Sequence, residues 1–363
     1  MPYEIDFIGI NEDSKDASAI AMRWEKQDGG YTVGVFDGGF QIHGEALVNL
    51  LDTYYFPDAK EKVVDFMICS HPHDDHIQGL KTILENFTVR NLYMNRPWRH
   101  VKELHPFVRH RNMKPEGLRN QLRESYASLA ELEELAIEKK VPIHDIFQGM
   151  VISDRLDVLS PSKEFYLEQL IESDKTPLRK DASFQERAME FAKRTVNWIQ
   201  ETWNSEELRE TVETEPDNET STVILGTMEE ESFLLTGDVG IKGLRKAIDY
   251  ADSCGISLRD TVNVYEIPHH GGRHNVSPSI LNDLLGEIVE EGTETGKDAL
   301  VCAGRNSDHP LQMVVNAFRR RGVKVYKAAG GTVSHYRGNM PFRGWWNAPE
   351  VPFNSLVEER DDA

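Results

Sequence analysis

The sequence predicts an α/β fold in which helices cover β-sheets, and two patterns predict it. Apolar runs of strand length alternate with segments of helical spacing, with hairpins at the start of the chain. Three of the apolar runs end in turns rich in His, Asp and Gly, where a rigid scaffold holds a site that water can still reach. The 363 residues are 39% hydrophobic, enough for a real core, and no apolar run approaches the length of a membrane span.

Residues 3–9 alternate apolar and polar side chains and read as a strand; 17–24 and 31–36 are the second and third. The third runs into Asp37-Gly38-Gly39, a turn that places a carboxylate at a strand end. Residues 44–55 have helical spacing, 63–69 form a buried apolar strand, 77–87 an amphipathic helix and 91–94 a short strand. Residues 115–140, rich in Leu, Glu, Arg and Ala, read as one helix. Strands follow at 148–154 and 156–161, then helices at 165–171 and 183–213. The second of these is long and charged, with Met189, Phe191, Ala192, Val196, Ile199 and Trp203 as a packing stripe. Strands at 221–226, 232–236, 262–267, 298–303, 323–326 and 332–337 are interleaved with helices at 241–254, 277–290 and 310–321. The tail after Trp345 reads as a surface extension.

The chemistry concentrates in Cys69-Ser-His71-Pro-His73-Asp-Asp75-His76. Neutral imidazole and carboxylate are good ligands for Zn and Mn. His71 and His73 are two apart, so on an extended segment both face one way and can share an ion. Asp75 and His76, offset at a helix start, can face a second ion, and two adjacent ions suit hydrolysis of a phosphoryl or acyl centre. Gly237-Asp238 and Pro268-His269-His270-Gly271-Gly272 close the later strands. A Gly-Asp turn alone is weak evidence, and an isolated His pair is more often structural, but these fall on the second and third ligand-bearing strand tips. Asn306 and His309 precede a helix start that could hold an oxyanion, with helix capping as the plain alternative.

The formal charge of −20 argues against broad, nonspecific nucleic-acid binding. The charge is uneven, however. From Arg96 to Arg123 the chain carries Arg96, Arg99, Lys102, Arg109, Arg111, Lys114, Arg119 and Arg123 against Glu103 and Glu116. Arg319-Arg320-Arg321 with Lys324 and Lys327 is a second basic knot. Both are candidate surfaces for a phosphate backbone, and a solvated face is the alternative. Cys69, Cys254 and Cys302 are odd in number and far apart, as reduced, packed thiols would be. With no basic-then-apolar leader at the N-terminus, a cytoplasmic protein is expected.

The order His71-x-His73-x-Asp75-His76, Gly237-Asp238, His269-His270-Gly271 resembles the metallo-β-lactamase fold hydrolases, in particular the soluble C-terminal domain of the ComEC/Rec2 DNA-uptake proteins. Phe36 to Gly39, Asn218 to Ser221, Leu235 to Asp238, Pro268 to Gly272 and His309-Pro310 carry the likeness, with Gly272 where the family has Ser. A further His that many members place between the first motif and Gly-Asp has no convincing counterpart here.

The resemblance implies a four-layer αββα sandwich over residues 1–345, with helical insertions at about 100–147 and 163–216 and a tail at 346–363. It also implies a metal-dependent hydrolase, with one or two Zn or Mn ions held by His71, His73, Asp75, His76, Asp238 and His269. His269 and His270 are both open as the ligand of the second ion. Asp75, His270 and His309 are the expected catalytic groups, and Asp37 supports the loops. A nuclease acting on DNA is the leading expectation. The alternatives are a small-molecule phosphoesterase or lactonase, and a subunit that engages a protein partner through the inserted helices.

Overall fold

A computed structural model of the chain describes residues 1–11, 15–27, 29–110, 112–178, 198–345 and 347–358. Its body is two seven-stranded sheets. The first runs in the order Val333–Arg337, Tyr3–Phe7, Ala19–Glu25, Tyr31–Gly38, Phe66–Ile68, Leu92–Tyr93, Ile143–His144. The second runs Val323–Ala328, Lys297–Cys302, Val264–Glu266, Ser232–Leu235, Val223–Thr227, Leu156–Ser160, Val151–Ile152. Each sheet is antiparallel on one side and parallel on the other.

Strand alternation divides the apolar side chains among three cores. In Ala19–Glu25, Ile20, Met22 and Trp24 face the other sheet, while Ala19 and Ala21 face the helices. In the second sheet Ile224, Phe233 and Leu235 face inward, while Val223, Leu225 and Leu234 meet the helices Ile241–Ser253, Pro278–Leu285 and Gln312–Arg320. One core between the sheets and one outside each sheet make four layers, helix–sheet–sheet–helix.

The helices expected at 77–87, 165–171, 241–254 and 310–321 are present as Asp74–Asn86, Lys163–Glu172, Ile241–Ser253 and Gln312–Arg320. Others differ. The single helix over 115–140 is two, Pro115–Ser125 and Ala127–Glu138, broken at Tyr126 (φ −118°, ψ 54°), whose hydroxyl bonds Asp217. The helix expected to reach residue 290 stops at Leu285, because Gly286 takes φ 104°. Of the helix expected over 183–213, residues 183–197 lie outside the described residues, and with them Met189, Phe191, Ala192 and Val196. Trp198–Gln200 is a strand paired with Leu356–Glu358, so the helix does not extend to 213. Cys69 and Cys302 are buried thiols, as expected, but Cys254 is exposed.

The C-terminal arm binds across both sheets. Arg343 forms a bidentate pair with Asp6 at 2.9 and 3.1 Å, Val351 N–H donates to Val325 O, and the Glu358 carboxylate accepts from the N–H groups of Gln312 and Met313 at the start of their helix. No helix of the described residues is long and apolar enough to cross a membrane.

At the strand ends opposite those that carry the site, Glu231 accepts hydrogen bonds from Tyr3 (2.6 Å), His335 (3.0 Å) and Arg337 (2.6 Å). Burial opposes the shift, but these three donors pull its pKa down to about 2, from 4.5. A depressed carboxylate contributes stability that is present above the unfolded value and lost as pH falls through the folded one. The full shift is worth about 3 kcal/mol, and solvent screening of this half-buried group cuts it to about 1–2 kcal/mol. Glu231→Gln should therefore lose that amount at pH 7 and less at pH 3.5 in urea unfolding of chelator-treated protein; an equal loss at both values would show that the carboxylate charge is not responsible.

Candidate metal centre

The site lies at the carboxyl ends of the central strands of both sheets, where open α/β folds hold ligands. Phe66–Ile68 leads into His71 and His73, and the helix Asp74–Asn86 begins immediately, with Asp75 and His76 in its first turn. Gly38 and Gly79 let that helix rest directly on the neighbouring strand end: a Cβ on Gly79 would lie 1.9 Å from the Gly38 carbonyl oxygen. The close approach brings Asp37, itself left-handed at φ 59°, under the helix.

Asp37 organises the first motif. Its carboxyl accepts from Ser70 N–H (2.8 Å), Ser70 Oγ (2.6 Å) and His76 Nδ1 (2.7 Å). Because the Ser70 hydroxyl proton goes to Asp37, its oxygen at 3.0 Å from His71 Nδ1 can only accept. Nδ1 therefore carries the proton in both His71 and His76. His270 is fixed likewise by the Cys302 carbonyl oxygen, 3.0 Å from its Nδ1. The Nε2 atoms of these three rings point inward. The Nε2 atoms of His71, His73, His76 and His270 are buried without a hydrogen-bond partner.

They face carboxylates. Asp238 Oδ1 is 3.2 Å from His76 Nε2 and Oδ2 is 3.7 Å from His71 Nε2; Asp75 Oδ2 is 3.4 Å from His270 Nε2. Two groups result, Asp75, His76, Asp238 and His270, and His71, His73 and Asp238, each with ligand atoms within 4.8 Å of one another. Asp238 belongs to both. Burial holds His71 well below the usual imidazole range, helped by the neighbouring His76. Burial would also depress His76, but Asp238, Asp37 and Asp75 outweigh it and hold His76 well above that range. Burial works against the ionised Asp238, and His76, His269, His270 and His71 overcome it, holding its carboxyl well below the usual value.

Residues outside the candidate ligand set hold Asp238 in place. Glu266, pushed up to about 7 by burial, accepts the N–H groups of Thr236 (2.7 Å) and Gly237 (2.9 Å). Ser221 Oγ accepts Asp238 N–H at 3.2 Å, and Asn275 Nδ2 donates to Asp238 O at 2.8 Å. The Asn218 to Ser221 stretch, expected to open a strand, instead starts in the one-turn helix Pro216–Glu219 and lies buried beside the site, with Asp217 Oδ2 3.8 Å from His73 Nε2.

A cavity of about 860 Å³ opens above the two groups, lined by Lys15, Asp16, Asp75, His269, His270 and His309 among others. His309, expected at a helix start, faces this cavity and is tied through Nδ1 to Asp16 Oδ2 at 2.9 Å. Asp16 also accepts Gly304 N–H and Ser307 Oγ, both at 2.7 Å. No sequence pattern marked Asp16 as its partner, since 293 residues separate the two.

The basic knot at Arg319-Arg320-Arg321 does not present all of its arginines to a substrate. Arg320 and Arg321 are buried, Arg320 against Glu201 (3.1 Å) and the carbonyls of Trp203 and Ser205, Arg321 against Glu206 (2.8 Å). In the Arg96 to Arg123 stretch, Arg96 is buried between Glu133 and Asp145 and Arg123 pairs with Glu133 and Glu134, while Arg99, Lys102, Lys114 and Arg119 are exposed.

No family model and no curated protein sequence matches the chain. Similar solved structures include AbOPH, a hydrolase in the beta lactamase superfamily, at 14% identity over 61% of this chain and 56% of that one, with a TM-score of 0.29. They include AidC, a dizinc quorum-quenching lactonase, at 12% over 67% and 69%, TM-score 0.28. They also include a long form RNase Z from yeast, at 12% over 83% and 37%, TM-score 0.34. The chain spans just over half the length of AbOPH. Likeness this faint carries no argument about substrate or mechanism, and the fold rests on the sheet order and the three cores.

Proposed function

We propose that the protein is a metal-dependent hydrolase of phosphodiester bonds, with the metallo-β-lactamase fold that its motif order resembles and with DNA as substrate. The observation that carries this reading is the pair of adjoining sets of buried, unpartnered imidazole and carboxylate atoms that share Asp238 beneath an open cavity. Inward imidazole nitrogens facing carboxylate oxygens are satisfied by a metal ion or by a proton between them, and the nitrogen–oxygen donor set suits Zn or Mn. His71, His73 and Asp238 would hold one ion; Asp75, His76, Asp238 and His270 would hold the other. His270 takes the ligand role in the second site because its Nε2 is buried within that group.

Divalent ions bound there would acidify a water and neutralise charge on the phosphoryl group. Asp75, partly exposed to the cavity, orients the attacking water and accepts its proton. His309, whose Nδ1 proton is committed to Asp16, donates from the other ring nitrogen to the leaving oxygen when protonated. Lys15 meets the negative charge of the phosphate. The exposed Arg99, Lys102, Lys114 and Arg119 extend the contact along the backbone, and a cytoplasmic setting fits the thiols.

The test is cleavage of labelled single- and double-stranded DNA with Mn or Zn. Cutting should fall by about 10³-fold or more, about 4 kcal/mol, in the His71→Ala/His73→Ala double variant. His309→Ala should slow DNA by about 10²–10⁴-fold and a p-nitrophenyl phosphodiester far less, because that leaving group needs no proton. The charge of −20 favours a second reading, a small phosphoester or lactone substrate. Normal metal content with turnover of small esters and no cutting of DNA would establish it in place of the first.

A further inference from the structure

The cavity above the two groups has one apolar feature. Of the nine described residues that line it, eight are polar or charged and the ninth is Phe40. Phe40 follows the Asp37-Gly38-Gly39 turn and opens the helix Gln41–Leu50, where His43 N–H donates to its carbonyl oxygen at 2.9 Å. The side chain is partly exposed and belongs to none of the three apolar cores. His43, which is buried, backs its ring, with centroids 6.2 Å apart and planes at 46°. The turn packs tightly on that support: a Cβ on Gly39, at φ 66°, would lie 2.5 Å from the His43 Cβ. Backbone and His43 together fix Phe40 at the cavity wall.

We propose that Phe40 is the platform on which a base of the substrate stacks, so that the substrate is single-stranded DNA. This rests on the reading of the centre as a nuclease. A large ring left out of every core gains apolar burial from a ligand that covers it. The surroundings say what kind of ligand. An acyl chain wants an apolar wall along its length, and this cavity offers a single ring among Lys15, Ser307, His309 and other polar groups. A nucleobase has an apolar face and a rim of donors and acceptors, which matches one ring set among polar side chains.

Stacking on a protein ring requires a base whose face is free. In a duplex both faces are covered by neighbouring pairs, whereas a single strand can splay a base out. Size and charge favour the same substrate. The volume of about 860 Å³ falls in the class of pockets that enclose one small ligand, about 300–1,000 Å³, which suits a nucleotide unit. A duplex carries a charge every 1.7 Å or about that of its axis and rewards a long basic surface. Here Arg96, Arg320 and Arg321 are buried, in a chain of net charge −20.

The experiment compares kcat/KM for single-stranded DNA, the same sequence as duplex, and an abasic oligomer of equal length that keeps the phosphodiesters and lacks the bases. Wild type, Phe40→Ala, Phe40→Leu and Phe40→Trp are used, with bound metal and melting temperature reporting that each variant folds. Wild type should favour the single strand over both other substrates by about 5–150-fold, the range of one base stacked on an aromatic ring. Phe40→Ala should lose most of the preference for the single strand over the abasic oligomer. Phe40→Trp should keep it, and Phe40→Leu, apolar but not flat, should fall near Phe40→Ala. The Leu and Trp variants carry the test should Phe40→Ala not fold. An unchanged ratio in Phe40→Ala, a wild-type ratio in Phe40→Leu, or equal cutting of duplex and single strand by wild type would each overturn the inference and leave the nuclease standing. A wild type that turns over small esters and cuts no DNA would overturn both readings.

Discussion

Asp238→Ala should empty both metal sites together and reduce hydrolysis by at least about 10³-fold, a loss of about 4 kcal/mol in transition-state stabilisation. Among the described residues no other side chain stands in both groups of ligand atoms. Its Oδ1 faces His76 and its Oδ2 faces His71, and Glu266, Ser221 and Asn275 hold the loop that carries it. A purely structural account of the same residue, an ion pair with protonated His76, predicts something different. Removing one member of a buried pair costs about 3–5 kcal/mol. That loss would appear in metal-free protein. The ligand account instead predicts that metal stabilises wild type by about 4 kcal/mol at about 1,000 times Kd. A chelator should therefore lower the melting temperature of wild type and leave Asp238→Ala unmoved. An Asp238→Ala protein that still responds to chelator would place the ions elsewhere.

The candidate ligands are legible in the sequence where they are close together. His71, His73, Asp75 and His76 fall within six positions, and a strand-to-helix turn can gather them without help from the rest of the chain. Asp238 and the His269-His270 pair are legible as strand tips, though neither turn specifies which group of candidate ligand atoms it joins. That depends on the left-handed backbone at 269 and 270, a matter of three-dimensional packing. The partners that fix the imidazole tautomers are a hydroxyl, Ser70, and a backbone carbonyl, that of Cys302. Neither leaves a pattern.

The Arg320-Arg321 pair misleads for a related reason. A run of arginines looks like surface, yet Glu201, Glu206 and several carbonyls arrive from distant loops and bury it. Some signals were present but outweighed. Gly286 marks the end of its helix by its freedom at φ 104°. The break at Tyr126 has no Gly or Pro to announce it, and its hydroxyl bond to Asp217 is a tertiary contact.

Asp37→Asn isolates the contribution of those hidden partners. The substitution keeps the size of the side chain, and Asn accepts the left-handed backbone that Asp37 occupies at φ 59°, so strain is not added. What changes is donor and acceptor. The amide oxygen can still accept one hydrogen bond, from Ser70 N–H. The amide nitrogen then faces Ser70 Oγ and His76 Nδ1, where Asp37 Oδ2 accepts from both at 2.6 and 2.7 Å. Against an N–H donor, the favoured His76 tautomer carries its proton on Nε2, pointing at Asp238 where the ion should sit. Ser70 Oγ loses its acceptor and, with it, the reason to present a lone pair to His71 Nδ1. Both sites should weaken, the second more directly, by about 10–100-fold in metal affinity. The fold should persist, because the apolar cores are untouched. Isotope-edited NMR of the His76 ring would show which nitrogen is protonated. If the variant keeps the Nδ1 proton and wild-type metal affinity, Asp37 is a buried structural carboxyl and does not orient the ligands.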